Sequence, residues 1–177
     1  ELVDEPGTCV LAWTTTPWTL PGNVALAVHN TIEYVKVKSS FEGKDNYFIL
    51  AKKKVEEYFK ESDAITIVEE FTGDKLVGKT YKPVFPYFID KEIENKENIW
   101  KIWHADFITD TDGTGIAHEA PAFGAEDMEL AKANKIPVIK HVKMDGTFID
   151  AVTDFAGMKV KKKDDTQSAD IEVIKWL

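Results

Sequence analysis

The chain has 177 residues, 44% of them apolar and 30% charged, a balance that suits one domain and excludes collagen-like, low-complexity and wholly disordered polymers. A formal net charge of −9 opposes nonspecific attraction to a polyanion, and no apolar run is long enough to cross a bilayer, which argues against a membrane partner. The single cysteine, Cys9, excludes an internal disulfide and a multi-cysteine zinc site, in keeping with a reducing compartment.

The chain opens Glu1-Leu2-Val3-Asp4 with no methionine and no cationic, apolar leader, so it is expected to be a piece of a larger protein. Short β-favouring segments are predicted at residues 10–13, 25–28, 33–38, 47–51, 65–70 and 106–108. Among them Val35 and Val37 alternate with Lys36 and Lys38 at the two-residue period of a half-buried strand. Pro17 and Pro21 are expected to hold Thr16 and Leu20 extended and to keep their neighbours out of a helix. Helices are predicted at 52–60, with Val55, Tyr58 and Phe59 on one side, and at 125–134, opening after Gly124. A third is predicted at 165–177, with Ile171, Ile174 and Leu177 on a common stripe. Residues 92–98 read as an exposed loop and 110–115 as a tight turn rich in Asp and Gly. The lysine clusters at 52–54 and 159–163 read as solvated faces. Many short strands with interspersed helices predict a single α+β domain over residues 1–177 whose sheet curls into a barrel.

Several chemistries fail on spacing. His118-Glu119-Ala120-Pro121-Ala122 begins like a zinc-protease motif, but Ala122 stands where the second histidine must be and Pro121 would interrupt the helix. A nucleobase deaminase needs paired cysteines, which one cysteine cannot supply. Asp110, Asp112 and Thr114 mimic the opening of a calcium loop, yet Pro121 occupies the place of its last carboxylate. No serine lies in a nucleophile elbow, and no glycine-rich lysine loop cradles phosphate. No metal ligand set and no cofactor motif is left.

Two stretches remain distinctive. In Trp13-Thr14-Thr15-Thr16-Pro17-Trp18-Thr19-Leu20-Pro21-Gly22-Asn23, four hydroxyls and two indoles surround two prolines; taken alone, such a stretch is ordinary β-favouring surface. The second runs from Gly113 through His118-Glu119-Ala120-Pro121-Ala122-Phe123-Gly124 to Asp127. Together they resemble the editing (CP1) domain inserted in class I aminoacyl-tRNA synthetases for aliphatic amino acids, most closely the isoleucyl type. The valyl and leucyl types carry Thr-Thr-Arg-Pro followed by an acid, whereas here Thr16 precedes Pro17 and Trp18 follows it. The eukaryotic cytosolic branch is suggested by Leu76-Val77-Gly78 leading into Tyr81-Lys82-Pro83-Val84-Phe85-Pro86-Tyr87-Phe88. Glu119 departs from the neutral polar residue usual at its place and leaves the local charge open.

The resemblance implies a β-barrel-like core flanked by short helices and hydrolysis, by a positioned water, of valine misattached to the tRNA for isoleucine, with valyl-adenylate as a further substrate. One missing methylene alters binding by only ~1 to 3 kcal/mol, isoleucine against valine being the known instance, so a second and smaller site is required. The implied partners are the 3′ end of aminoacylated tRNA, aminoacyl-adenylate and the remainder of a parent synthetase, in the cytoplasm. Residue by residue, Asp127 would grip the α-ammonium and Thr14, Thr15 and Thr16 would contact the carbonyl, ribose or water. His118 would wall the side-chain pocket against isoleucine and Asn23 would support the threonines. Trp13, Trp18, Thr19, Ala120, Phe123 and Gly124 would line the substrate. The synthetase signatures for ATP activation are absent, so no aminoacylation is expected of this chain. The alternatives are a noncatalytic module that docks the tRNA acceptor end, and an editing domain of the valyl or leucyl type.

Overall fold

The valine and lysine alternation produces β3 (Glu33–Phe41), whose Val35 and Val37 are fully buried in the computed structural model, which describes residues 1–41, 44–60 and 64–177. β3 lies between β4 (Lys44–Ala51) and β5 (Ile65–Thr72), antiparallel to both, and β1 (Thr8–Val10) joins the far side of β4 in parallel. The register sets Lys36 opposite Glu69, and its ammonium pairs with Glu69 at 3.4 Å and also with Glu5. β5 is an edge strand, and its exposed Glu69 and Glu70 deter pairing with another chain.

A second sheet has the order β6-β2-β7, formed by β6 (Lys101–His104), β2 (Ala25–Val28) and β7 (Ala117–Glu119). All four residues of β2 are buried, which is why that strand is a continuous apolar run beside its parallel partner β6. Leu26, Val28 and Ile102 pack with Tyr34, Ile49 and Leu76 into one core. There the Tyr34 hydroxyl donates to the Gly115 carbonyl at 2.7 Å and accepts the His29 N–H at 3.2 Å.

The expected barrel does not close among the described residues. Where a ladder would have to continue, single bridges stand instead, Trp13 with Ala117, Thr80 with Lys101 and Leu2 with Tyr81, and strands of three or four residues carry too few bonds to complete a ring. The α+β class stands. Two strands also differ from the sequence reading: β1 occupies 8–10 rather than 10–13, and 106–108 is a turn. There Ala105 N–H gives the last bond to Val28 O, and Ile108 N–H turns back to Ala105 O. The helix expected over 52–60 is one short turn at Lys52–Lys54 followed by α1 (Val55–Tyr58). Phe59 is already extended, and Tyr58 is exposed rather than sharing the buried side with Val55.

Apart from Glu119 at the end of β7, these sheets belong to one compact unit, residues 1–14, 25–82 and 100–118. The second, residues 15–24, 83–99 and 119–177, is built mainly of turns. Its core gathers Phe85, Phe148, Val152, Phe155 and Val160 against Ala169 and Val173 of α3 (Ser168–Trp176). Ile171, Ile174 and Leu177 are exposed, against the expected stripe, because the small Ala169 and its partner one turn on, Val173, form the face that packs. α2 (Ala125–Asn134) has the predicted bounds. Pro17–Gly22 form a 3-10 helix that includes Leu20, so the prolines do not exclude helix here: Pro17 sits at the first position, where the missing N–H has no partner to lose. No helix of the described residues is long and apolar enough to cross a membrane.

Candidate functional site

In the β unit, the first distinctive stretch leaves β1 beside the second. Trp13 N–H donates to Ile116 O at 3.0 Å and His118 N–H donates to Trp13 O at 3.4 Å, so Trp13 forms one short parallel bridge with Ala117, between Ile116 and His118. The turn at 110–115 backs this segment. Gly113 has φ +54°, and a Cβ there would lie 2.6 Å from the Trp13 ring, so glycine is needed for the indole to rest on the turn. The Thr114 hydroxyl donates to Leu11 O. Trp13 remains largely exposed, and Thr14 and His118 are half-buried.

In the turn-rich unit, Thr15 is exposed and Thr16 half-buried, with the Thr16 carbonyl accepting both the N–H (2.9 Å) and the hydroxyl (2.8 Å) of Thr19. The buried Thr19 hydroxyl therefore serves its own turn. Trp18 N–H donates to Asp170 Oδ1 at 2.9 Å, and the Trp18 ring meets Phe123 edge-on at 4.9 Å. Asn23 N–H closes the 3-10 helix on Leu20 O.

Asp127 stands in the first turn of α2, where the positive end of the helix favours a carboxylate. Ala120 N–H donates to its Oδ2 at 2.7 Å. A Cβ on Gly124 would lie 2.2 Å from its Oδ1, so only glycine at the cap leaves room for this placement. Ala120 and Gly124, expected to line substrate, thus act within this unit by holding Asp127. Phe123 N–H closes the intervening turn on Ala120 O.

Two groups of this unit, His141 and Asp170, went unmarked in the sequence, and a third, Glu119, was marked only as a departure that left the local charge open. Glu119 is only 2% exposed, its Oε2 has no hydrogen-bond partner, and burial, then Asp127, then Glu126 push its pKa up to about 8. His141 is fully buried and donates from Nε2 to Trp18 O at 3.1 Å. Burial pushes its pKa down to about 4, against the raising pull of the Trp18 and Ile139 backbone. Its ring contacts Phe123 edge-on (4.9 Å) and stacks on Phe148 (5.9 Å). Asp170, which caps the Trp18 amide, lies 152 residues away in sequence. Only Glu119 carried a signal, its place inside a distinctive motif; nothing local marks His141 or Asp170.

Two other clusters lie in the β unit. Donor atoms of His29, His104 and Asp106 fall within 4.8 Å of one another. His104 Nδ1 accepts the Asn30 N–H at 3.2 Å, which leaves its proton on Nε2, donated to Asp106 at 3.1 Å, so a metal ion would have to displace that proton. A cleft of about 350 Å³ has paired charges in its walls, Lys79 with Asp4 and Lys36 with Glu5 and Glu69, over Ile49, Phe71 and Leu76. Its lining includes none of the candidate catalytic or substrate-binding residues expected from the sequence.

No family model matches the chain. It is 42% identical over 173 residues to an isoleucine–tRNA ligase of Bdellovibrio bacteriovorus, covering 97% of this chain and 16% of that protein. It is 38% identical over 179 residues to a probable cytoplasmic isoleucine–tRNA ligase of Dictyostelium discoideum, again covering 97% and 16%, and 40% identical over 168 residues to an isoleucine–tRNA ligase of Tetrahymena thermophila, covering 93% and 15%. The chain thus spans about 16% of the length of these curated relatives. Among solved structures it resembles the editing domain of the Plasmodium falciparum cytosolic leucyl-tRNA synthetase, with TM-score 0.58 and 12% identity over 92% of this chain and 66% of that one. It also resembles the leucyl-tRNA synthetase domain GlLeuRS-CP1, with TM-score 0.55 and 22% identity over 70% and 43%. At such identities the likeness shows the fold alone.

Proposed function

The chain belongs to the isoleucyl-tRNA synthetase family, as a segment with the editing-domain fold, and from that premise we propose that it proofreads by hydrolysing valine from mischarged isoleucine tRNA. An aminoacyl ester is already activated. Water attacks its carbonyl carbon, the oxyanion collapses, the ribose oxygen leaves with a proton, and valine and free tRNA result. Positioning and oxyanion stabilisation supply the acceleration. Asp127 anchors the α-ammonium, Thr14, Thr15 and Thr16 orient carbonyl and water with Asn23 behind them, and His118 rejects the longer isoleucine side chain. Valyl-adenylate is a second substrate on this reading, the tRNA acceptor end and the rest of the ligase are the partners, and the cytoplasm is the site of action.

The observation that carries the reading is the Asp127 carboxylate, held by the Ala120 N–H and the bare Gly124 at the start of α2. Asp127→Asn keeps an acceptor for Ala120 N–H and removes the charge, so the fold is retained. Deacylation of valyl-tRNA should fall roughly 10- to 100-fold, the worth of a charged hydrogen bond. An unchanged rate removes Asp127 from the site, and an absence of deacylation in the native protein favours the docking module.

A further inference from the structure

Glu119 is unused by the reaction just described. It ends β7, its carbonyl accepts Val24 N–H at 3.1 Å, and the next amide along the chain, that of Ala120, is the one that fixes Asp127. Its carboxyl is buried with one oxygen unpartnered, and the charged groups set against it, Asp127 and Glu126 of α2, are both negative. A glutamine or methionine would fill the same volume without this penalty, since a buried carboxyl lacking a partner costs stability in either protonation state. Groups so placed are candidates for function.

We propose that Glu119 is a positioning residue acting through Asp127: it holds a proton before the amine arrives, releases it to solvent when a cationic amine settles against Asp127, and thereby sets a second negative charge behind the first. The inference rests on the reading of Asp127 as amine anchor. The coupling is reciprocal. Asp127 tightens the hold of Glu119 on its proton, so a cation that cancels the Asp127 charge must loosen it by the same free energy. The burial that pushes Glu119 up to about 8 keeps the proton in place at neutral pH until then. Binding of the amine therefore strengthens as pH rises through the range in which the amine itself stays cationic, below about 7.7.

The probe is a valyl-adenosine mimic in which an amide replaces the labile ester at the ribose 3′ position, compared with its des-amino counterpart. Calorimetric titration at pH 6.5, where an α-amine is still cationic, in two buffers of different ionisation enthalpy counts the protons released. The native protein should release roughly 0.3 to 1 proton per amine mimic and none with the des-amino compound. Glu119→Gln should bind the amine mimic a few-fold more weakly with no proton release. Carbon-13 spectra of the native Glu119 carboxyl, which need no variant, should move from the neutral to the ionised shift on binding. A preference for the amine mimic without proton release or carboxyl shift overturns the role of Glu119 alone, as does equal release by Glu119→Gln. No preference for the amine overturns the Asp127 reading and this one with it.

Discussion

The β unit and the turn-rich unit hold their cores together in different ways. In the β unit Val35 is tied on both sides, to Leu50 across one ladder and to Glu70 across the other, and the core is largely aliphatic with two buried tyrosines, Tyr34 and Tyr81, the first bonded to the Gly115 carbonyl. Each contact there is repeated by its neighbours along the strand. In the turn-rich unit, short turns, single bridges and α3 surround an aromatic core, and two ionisable groups of that unit, Glu119 and His141, are buried. Burying two ionisable groups costs this unit stability that the largely aliphatic core of the β unit does not give up.

Phe148→Ala should show the contrast at its largest. The ring is fully buried and meets both His141 and Phe155, so a loss of about 3–5 kcal/mol is expected. Amide exchange should quicken first in residues 141–160, while Val35, Val37 and Leu50 stay protected. Equal loss in both units would remove the distinction.

The pH dependence is the next effect. His141 holds its proton less tightly folded (about 4) than unfolded (6.5), so its contribution to stability is present above 6.5 and is lost as pH falls through about 4. Glu119 holds its proton more tightly folded (about 8) than unfolded (4.5), so its contribution is present below 4.5 and is lost as pH rises through about 8. The slopes cancel between about pH 4.5 and 6.5, and from 6.5 to 8 stability should fall by roughly 2 kcal/mol. Urea unfolding at pH 5.5, 6.5 and 8 measures this, and Glu119→Gln should abolish the decline. A flat native curve above 6.5 would mean that Glu119 is already ionised in the fold.

The finest comparison is between two glycines. A Cβ on Gly73 in the β unit would lie 2.2 Å from the His29 carbonyl oxygen, and one on Gly22 in the turn-rich unit 2.0 Å from His141 Nδ1. Each alanine variant should cost about 1–3 kcal/mol. Backbone cannot swing aside, so Gly73→Ala should be worse by about 1 kcal/mol unless the aromatic packing makes His141 equally immovable. Thermal unfolding of the pair decides.

Local chemistry determined much of this protein. The period of two in 33–38, the apolar run at 25–28, and Gly124 followed by a helix with an acid in its first turn each depend on neighbours a few residues away, and the structure has them all. The two distinctive stretches, read together, also pointed to the family that the relatives show. Tertiary structure alone decided which face of α3 is buried, whether the sheets close, that Thr19 turns its hydroxyl inward, and that Glu119 is cut off from water. Such outcomes depend on what the remainder of the chain brings alongside: Asp170 caps Trp18 from 152 positions away, and a carboxyl titrates according to the solvent and charges around it. Propensity and spacing act over a turn or two of chain, whereas burial and electrostatic coupling belong to the folded arrangement.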